Sequence, residues 1–134
     1  MLQVITLYLV TVGVFLVADF FGLTYMMRPL FEKHIGGLLT DSFRFGPALV
    51  FYLFYVVGIL VFVSLPALRA DAPLQALLMG AFLGALAYGT YEFSNYATLK
   101  DWHWHMVAVD LTWGTVLTGM SAWIGVLVTR ALFA

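Results

Sequence analysis

The stretch from His105 to Leu132 reads HMVAVDLTWGTVLTGMSAWIGVLVTRAL, an apolar run interrupted by a single acid, Asp110, near one end. At about 1.5 Å rise per residue it is long enough to cross a hydrocarbon core of about 30 Å as one helix. Three other runs pass the same test: Leu2 to Met27, Pro47 to Leu65 and Leu74 to Ala97. Of the 134 residues 63% are hydrophobic and only 10% charged, a balance that no soluble domain of this length has enough interior to hide. The fold class is therefore an all-α membrane protein, with four transmembrane helices in an antiparallel bundle and residues 1–134 as one domain.

The connections, Arg28 to Gly46, Pro66 to Pro73 and Thr98 to Trp104, are too short for a soluble domain, so function is expected within or at the bilayer. The first run has no basic n-region and no small-residue cleavage site, and it reads as a retained helix rather than a signal peptide. With no cysteine, disulfides, thiolate metal sites and thiol nucleophiles are excluded. A net charge of −1 gives no nucleic-acid partner. Arg28, Lys33, Arg44 and Lys100 fall on one face against Arg69 and Arg130 on the other, a slight bias that favours both termini outside the cytoplasm. So small a bias is also compatible with insertion in both orientations, as in some small dimeric transporters.

Depth along each helix orders the polar residues. Measured from each run's midpoint, Asp19 lies about 9 Å toward the first connection, and Tyr52 and Tyr55 about 8 and 3 Å toward the same side. Tyr88, Tyr91, Glu92 and Asn95 lie about 4 to 14 Å toward the third connection, which shares that face; Asp110 and Trp113 lie about 12 and 8 Å toward it. The i, i+3, i+4, i+7 spacing of Tyr88, Tyr91, Glu92 and Asn95 puts them on one stripe. The other half holds only hydroxyls and small residues such as Thr6, Thr11, Ser64, Gly80, Thr118 and Ser121, suited to back-bonding and close helix contact.

An ionisable side chain inside a span costs about 2.5 to 3.5 kcal/mol on insertion scales, so Asp19, Glu92 and Asp110 need a reason. One is structural: bonds to phenols, the Asn95 amide and indole N–H groups, worth about 0.6 to 2 kcal/mol each. The other is a water-accessible pocket, with Glu92 and Asp110 as proton donor or acceptor and Asp19, Tyr52, Tyr55, Tyr88, Tyr91, Asn95 and Trp113 as its ligand-binding wall. Arg28, Arg44 and Lys100 are near enough to snorkel inward as counter-charges.

The segment Asp101-Trp102-His103-Trp104-His105 reads as an interfacial aromatic belt. No metal set is assigned; His103 and His105, with Asp101, Glu92 or His34, are the candidates for one, although on a helix the two rings of His-x-His point about 200° apart. The first connection, with Phe31, Ile35, Leu38, Leu39, Phe43 and Phe45, is too apolar for a free loop. It predicts an interfacial helix over the polar layer that reaches the Trp-His segment.

The run Ala87-Tyr88-Gly89-Thr90-Tyr91-Glu92-Phe93-Ser94-Asn95-Tyr96-Ala97-Thr98-Leu99-Lys100-Asp101-Trp102, followed by Asp110-Leu111-Thr112-Trp113-Gly114-Thr115, closely resembles the signature of a bacterial membrane-protein family known as domain of unknown function 2177. Phe51 to Tyr55, Pro66 to Leu68 and Asp19 extend the resemblance over essentially the whole chain. The resemblance implies a four-helix unit in the bacterial inner membrane and carries no reaction or cofactor. Two positions depart from the family pattern: Gly22 stands where a Trp is common three residues after the first acid, and Glu92 replaces the more usual Asp.

Three functions compete at this level. The first is a one-sided pocket binding or modifying a membrane lipid or isoprenoid-like molecule. The second is an accessory subunit of a larger membrane complex, and the third a small proton-coupled homodimeric transporter.

Overall fold

The computed structural model describes residues 1–134 as four long helical runs without strands: α1 Leu2–Leu38, α2 Phe45–Arg69, α3 Pro73–Thr98 and α4 Trp104–Leu132. Their ends lie within a few residues of the apolar runs, except that α1 continues well past Met27. The expected interfacial helix is thus not separate: Arg28–Ile35 grows out of the first span and ends in a short, tighter turn at Gly36–Leu38.

Proline explains how α1 continues. Pro29 has no N–H to donate to the turn before it, and its ring would clash with a regular helix carbonyl. The preceding turn, Leu23–Met27, is widened to π geometry, which absorbs both problems without ending the helix. The same device recurs in α2, where Leu60–Ser64 widens ahead of Pro66. Beyond Pro29, Leu30, Phe31 and Ile35 pack on a small core of Trp102, Met106 and Val107 at the start of α4.

Helix α4 lies at the centre of the bundle, packed closely along α3 and on its other side against α1. The α3 contact is made by small residues. A Cβ on Gly80 would lie 3.0 Å from the Gly119 Cα, and one on Gly84 would run into the Gly114 carbonyl and Thr118. Backbones can therefore approach without intervening side chains, the arrangement that drives association where the surrounding lipid is as apolar as leucine. Between α1 and α4 the fit is similar: the Thr11 hydroxyl fills the space above Gly125 while it donates to the Leu7 carbonyl at 2.7 Å. The main core of Leu7, Phe15, Val56, Ile59, Leu60, Val63, Ala67, Ala76, Leu117, Ala122 and Val126 fills the half of the bundle away from the first connection. Outward-facing Phe, Leu and Val remain exposed on every run, as expected of helices solvated by acyl chains.

Candidate functional site: a one-sided intramembrane cavity

Asp19, Tyr52, Tyr55, Tyr88, Tyr91 and Asp110, drawn from all four helices, line one cavity of about 920 Å³. Its outer wall is the extension of α1 (Met27, Arg28, Phe31, Glu32 and Gly36), the link to α2 (Leu39 to Asp41 and Phe43) and the first residue of α2, Phe45. Most of the lining is hydrophobic, with a few polar groups converging from within. The volume falls toward the upper end of the range of about 300–1,000 Å³ usual for small-molecule sites.

Each acid has a distinct environment. The Trp113 indole N–H donates to Asp19 Oδ1 at 3.3 Å, and the Tyr52 hydroxyl lies close to the same carboxyl. Asp19 Oδ2 is buried with no partner. Gly22 makes this possible, because a Cβ there would occupy the volume of the Trp113 ring. The Trp113 ring of α4 thus occupies the space beside Gly22, from which its N–H reaches Asp19.

Glu92 has no exposed surface, and its Oε1 accepts from the Trp102 indole N–H at 2.9 Å. Its carboxyl also lies beside that of Asp110, while Oε2 has no donor. Asp110 faces the cavity, whereas Glu92 stands behind it.

Tyr88 lies flat over Gly114, which has no side chain to prevent it. The Tyr55 hydroxyl hydrogen-bonds the Thr118 hydroxyl at 3.0 Å, so that phenol points toward the small-residue half rather than to an acid, and Thr118 bonds across helices rather than back to its own turn. Tyr91 is 52% exposed and meets the edge of Trp102. Asn95 and Trp113 do not line the cavity.

Counter-charges do not reach the acids. Arg28 pairs with Glu32 at 2.9 Å on its own helix, and Arg130 pairs with Asp71 at the opposite end of the bundle. No ion pair reaches the three buried carboxyls; Asp19 and Glu92 each accept from an indole N–H, and the neighbour of Asp110 is Glu92.

The α1 extension reaches the Trp-His segment as the sequence led one to expect: Phe31 meets Trp102 edge-on at 5.3 Å and His34 stacks on His103 at 4.3 Å. Geometry for the histidines differs from the helical reading. His103 is the N-cap of α4, with extended backbone (φ −104°, ψ 147°), and its Nδ1 accepts from the His105 N–H at 3.1 Å. Because His103 precedes the helix, the ring centroids of His103 and His105 come to 5.2 Å instead of diverging.

Sequence reasoning missed two things. Trp102 was placed in an aromatic belt, yet it is the donor to Glu92; its position just past the end of the helix carrying that acid was the available signal. The cavity's outer wall was not resolved residue by residue, because no periodicity marks a link such as Thr40 to Phe43.

These features define a four-helix membrane protein with a largely apolar cavity, reached by Asp19, Asp110 and four tyrosines and walled in part by an extension of its first helix. The chain belongs to the family described as "Predicted membrane protein (DUF2177)", whose model matches residues 4–127. It is also similar to a fluoride-specific ion channel, FluC, of Pelobacter propionicus, at 29% identity over 98 residues, covering 72% of this chain and 76% of that protein. No solved structure is significantly similar to it.

Proposed function

We propose that the chain binds an amphipathic, lipid-like or isoprenoid-like molecule in this cavity, in the bacterial inner membrane, and that Asp110, backed by Glu92, exchanges a proton with the ligand's polar end. The observation that carries the reading is the cavity itself: apolar walls from Phe20, Leu23, Phe43, Phe45 and Phe51 suit a hydrocarbon tail, and Asp19, Asp110 and the phenols give a polar end its partners. A carboxyl beside a second carboxyl and an indole donor is equipped for general acid or base work on a group within reach. The test is mass spectrometry of lipids retained by the protein after purification in mild detergent. Wild type is expected to retain a defined species that Ala48→Trp, which fills the cavity, releases; identical lipid profiles for the two proteins would defeat the proposal. Unchanged lipid and quinone content in a deletion strain would leave binding and remove catalysis.

A second reading rests on the fluoride-channel relative: a small ion-conducting unit that works as a homodimer. The half of the bundle beneath the cavity is filled by close-packed side chains, so a route across the bilayer needs a second copy. Fluoride efflux from proteoliposomes, followed with an ion-selective electrode, tests it. Flux that collapses in Glu92→Gln supports this reading, and flux no greater than from empty liposomes ends it.

A further inference from the structure

The imidazoles of His34, His103 and His105 come from two distant parts of the chain, and their ligand nitrogens all lie within 4.8 Å of one another. His34 sits in the last turn of the Arg28–Ile35 segment, and the other two at the start of α4. An aromatic belt at the headgroup level does not require three rings to converge, nor does it explain the state of their nitrogens. His34 Nε2 is buried with no hydrogen-bond partner in the structure. His103 uses Nδ1 to accept from the His105 backbone, which fixes its ring and leaves Nε2 free. His105 is exposed and ties up neither nitrogen in a bond.

We propose that these three histidines form a binding site for a divalent transition metal of borderline softness, of the zinc class. Imidazole nitrogen suits such ions, and three protein ligands leave a fourth position for water. At a metal–nitrogen distance of about 2.0–2.1 Å, tetrahedral ligands stand about 3.4 Å apart, so the rings need to close by little more than an ångström. Binding also requires the His34 ring to turn out of its nearly parallel stack on His103 (12° between planes), because an imidazole lone pair lies in the ring plane and parallel rings do not converge on one ion. With three imidazole nitrogens and no carboxylate in the cluster, a hard, oxygen-seeking cation such as calcium is a poor match.

The site joins the first connection to the third. Segment Arg28–Ile35 carries Arg28, Phe31 and Glu32 of the cavity wall, and it also packs on the small core of Trp102, Met106 and Val107. Bound metal staples that wall in place and so couples the cavity's roof to metal supply.

The experiment uses the full chain, purified with a tag free of histidine and treated with chelator, and Zn²⁺ alone as the probe. Calorimetric titration is expected to give one Zn²⁺ per chain, with affinity lowered at least about tenfold in His34→Ala and in His105→Ala, since loss of a direct ligand exceeds the usual effect of losing an outer-shell partner. No stoichiometric uptake by wild type, or uptake unchanged in His34→Ala, overturns the site. A second measurement on wild type alone guards against a variant that does not fold. Diethyl pyrocarbonate labelling read by mass spectrometry should show the exposed His105 protected by Zn²⁺; labelling of His105 unaffected by Zn²⁺ overturns the proposal independently.

Discussion

The two halves of this bundle solve the same packing problem in opposite ways. In one, Gly80, Gly84, Gly119 and Gly125 let helices touch through backbone and hydroxyls, leaving no space. In the other, phenols, indoles and carboxyls meet around a cavity of about 920 Å³. The contrast teaches that the tight half is the support on which the open half stands: large polar side chains can leave a space unfilled only if the helices are held together elsewhere. Among the contacts that join the regions are Tyr88 lying over Gly114, Tyr55 bonded to Thr118, and Phe15 of the core against the Tyr52 and Tyr55 rings.

The sharpest way to break that comparison is to attack the support. Gly84→Leu drives a side chain into the Gly114 backbone, which cannot move aside. Overpacking of this kind costs about 1–3 kcal/mol or more, and loss of monodisperse protein in detergent is expected. A variant as stable as wild type would show that the small-residue half is not the support.

Next in size is the exchange at Asp19. Gly22→Trp alone should destabilise because the Trp113 ring holds that space, and adding Trp113→Ala should restore much of the loss by returning an indole to the first helix. A coupling energy of about 0.5–3 kcal/mol between the two is expected from denaturant titrations. Strict additivity would mean that the two positions do not share one volume.

In the open half, Glu92→Leu leaves the Trp102 N–H without its acceptor and should cost about 0.6–2 kcal/mol, whereas Glu92→Gln keeps an acceptor oxygen and should cost less. Equal losses would mean that the hydrogen bond contributes little. Tyr55→Phe, which cuts the link to Thr118, should cost only about 0.6 kcal/mol, and a larger value would mark that bond as a principal tie between the halves. The smallest effect belongs to Arg130→Gln, which removes an exposed ion pair worth about 0–1 kcal/mol far from the cavity.

The layering of these halves was legible before any coordinates, since depth follows directly from position along a helix of known rise. Asp19, Tyr52, Tyr88 and Asp110 could be assigned to one level by counting, and they do line one space. Which acid found which indole was not legible. The pairs Asp19–Trp113 and Glu92–Trp102 depend on how the helices are rotated about their axes and, for Trp102, on where a connection folds back. The His103 ring shows the same limit, because its direction follows from a capping backbone that helical periodicity does not describe.

By itself the sequence determined that the chain must cross a bilayer four times, because apolar length and hydrocarbon thickness leave no alternative, and that the three acids within its spans, Asp19, Glu92 and Asp110, share one side. Tertiary structure alone decided that α1 runs on past Pro29 through a widened turn, that this extension walls a cavity, and that His34 meets His103 and His105. The physical reason is range. Burial in lipid is a property of each segment taken singly, whereas a cavity or a cluster of side chains exists only in the mutual rotation and contact of segments distant in the chain.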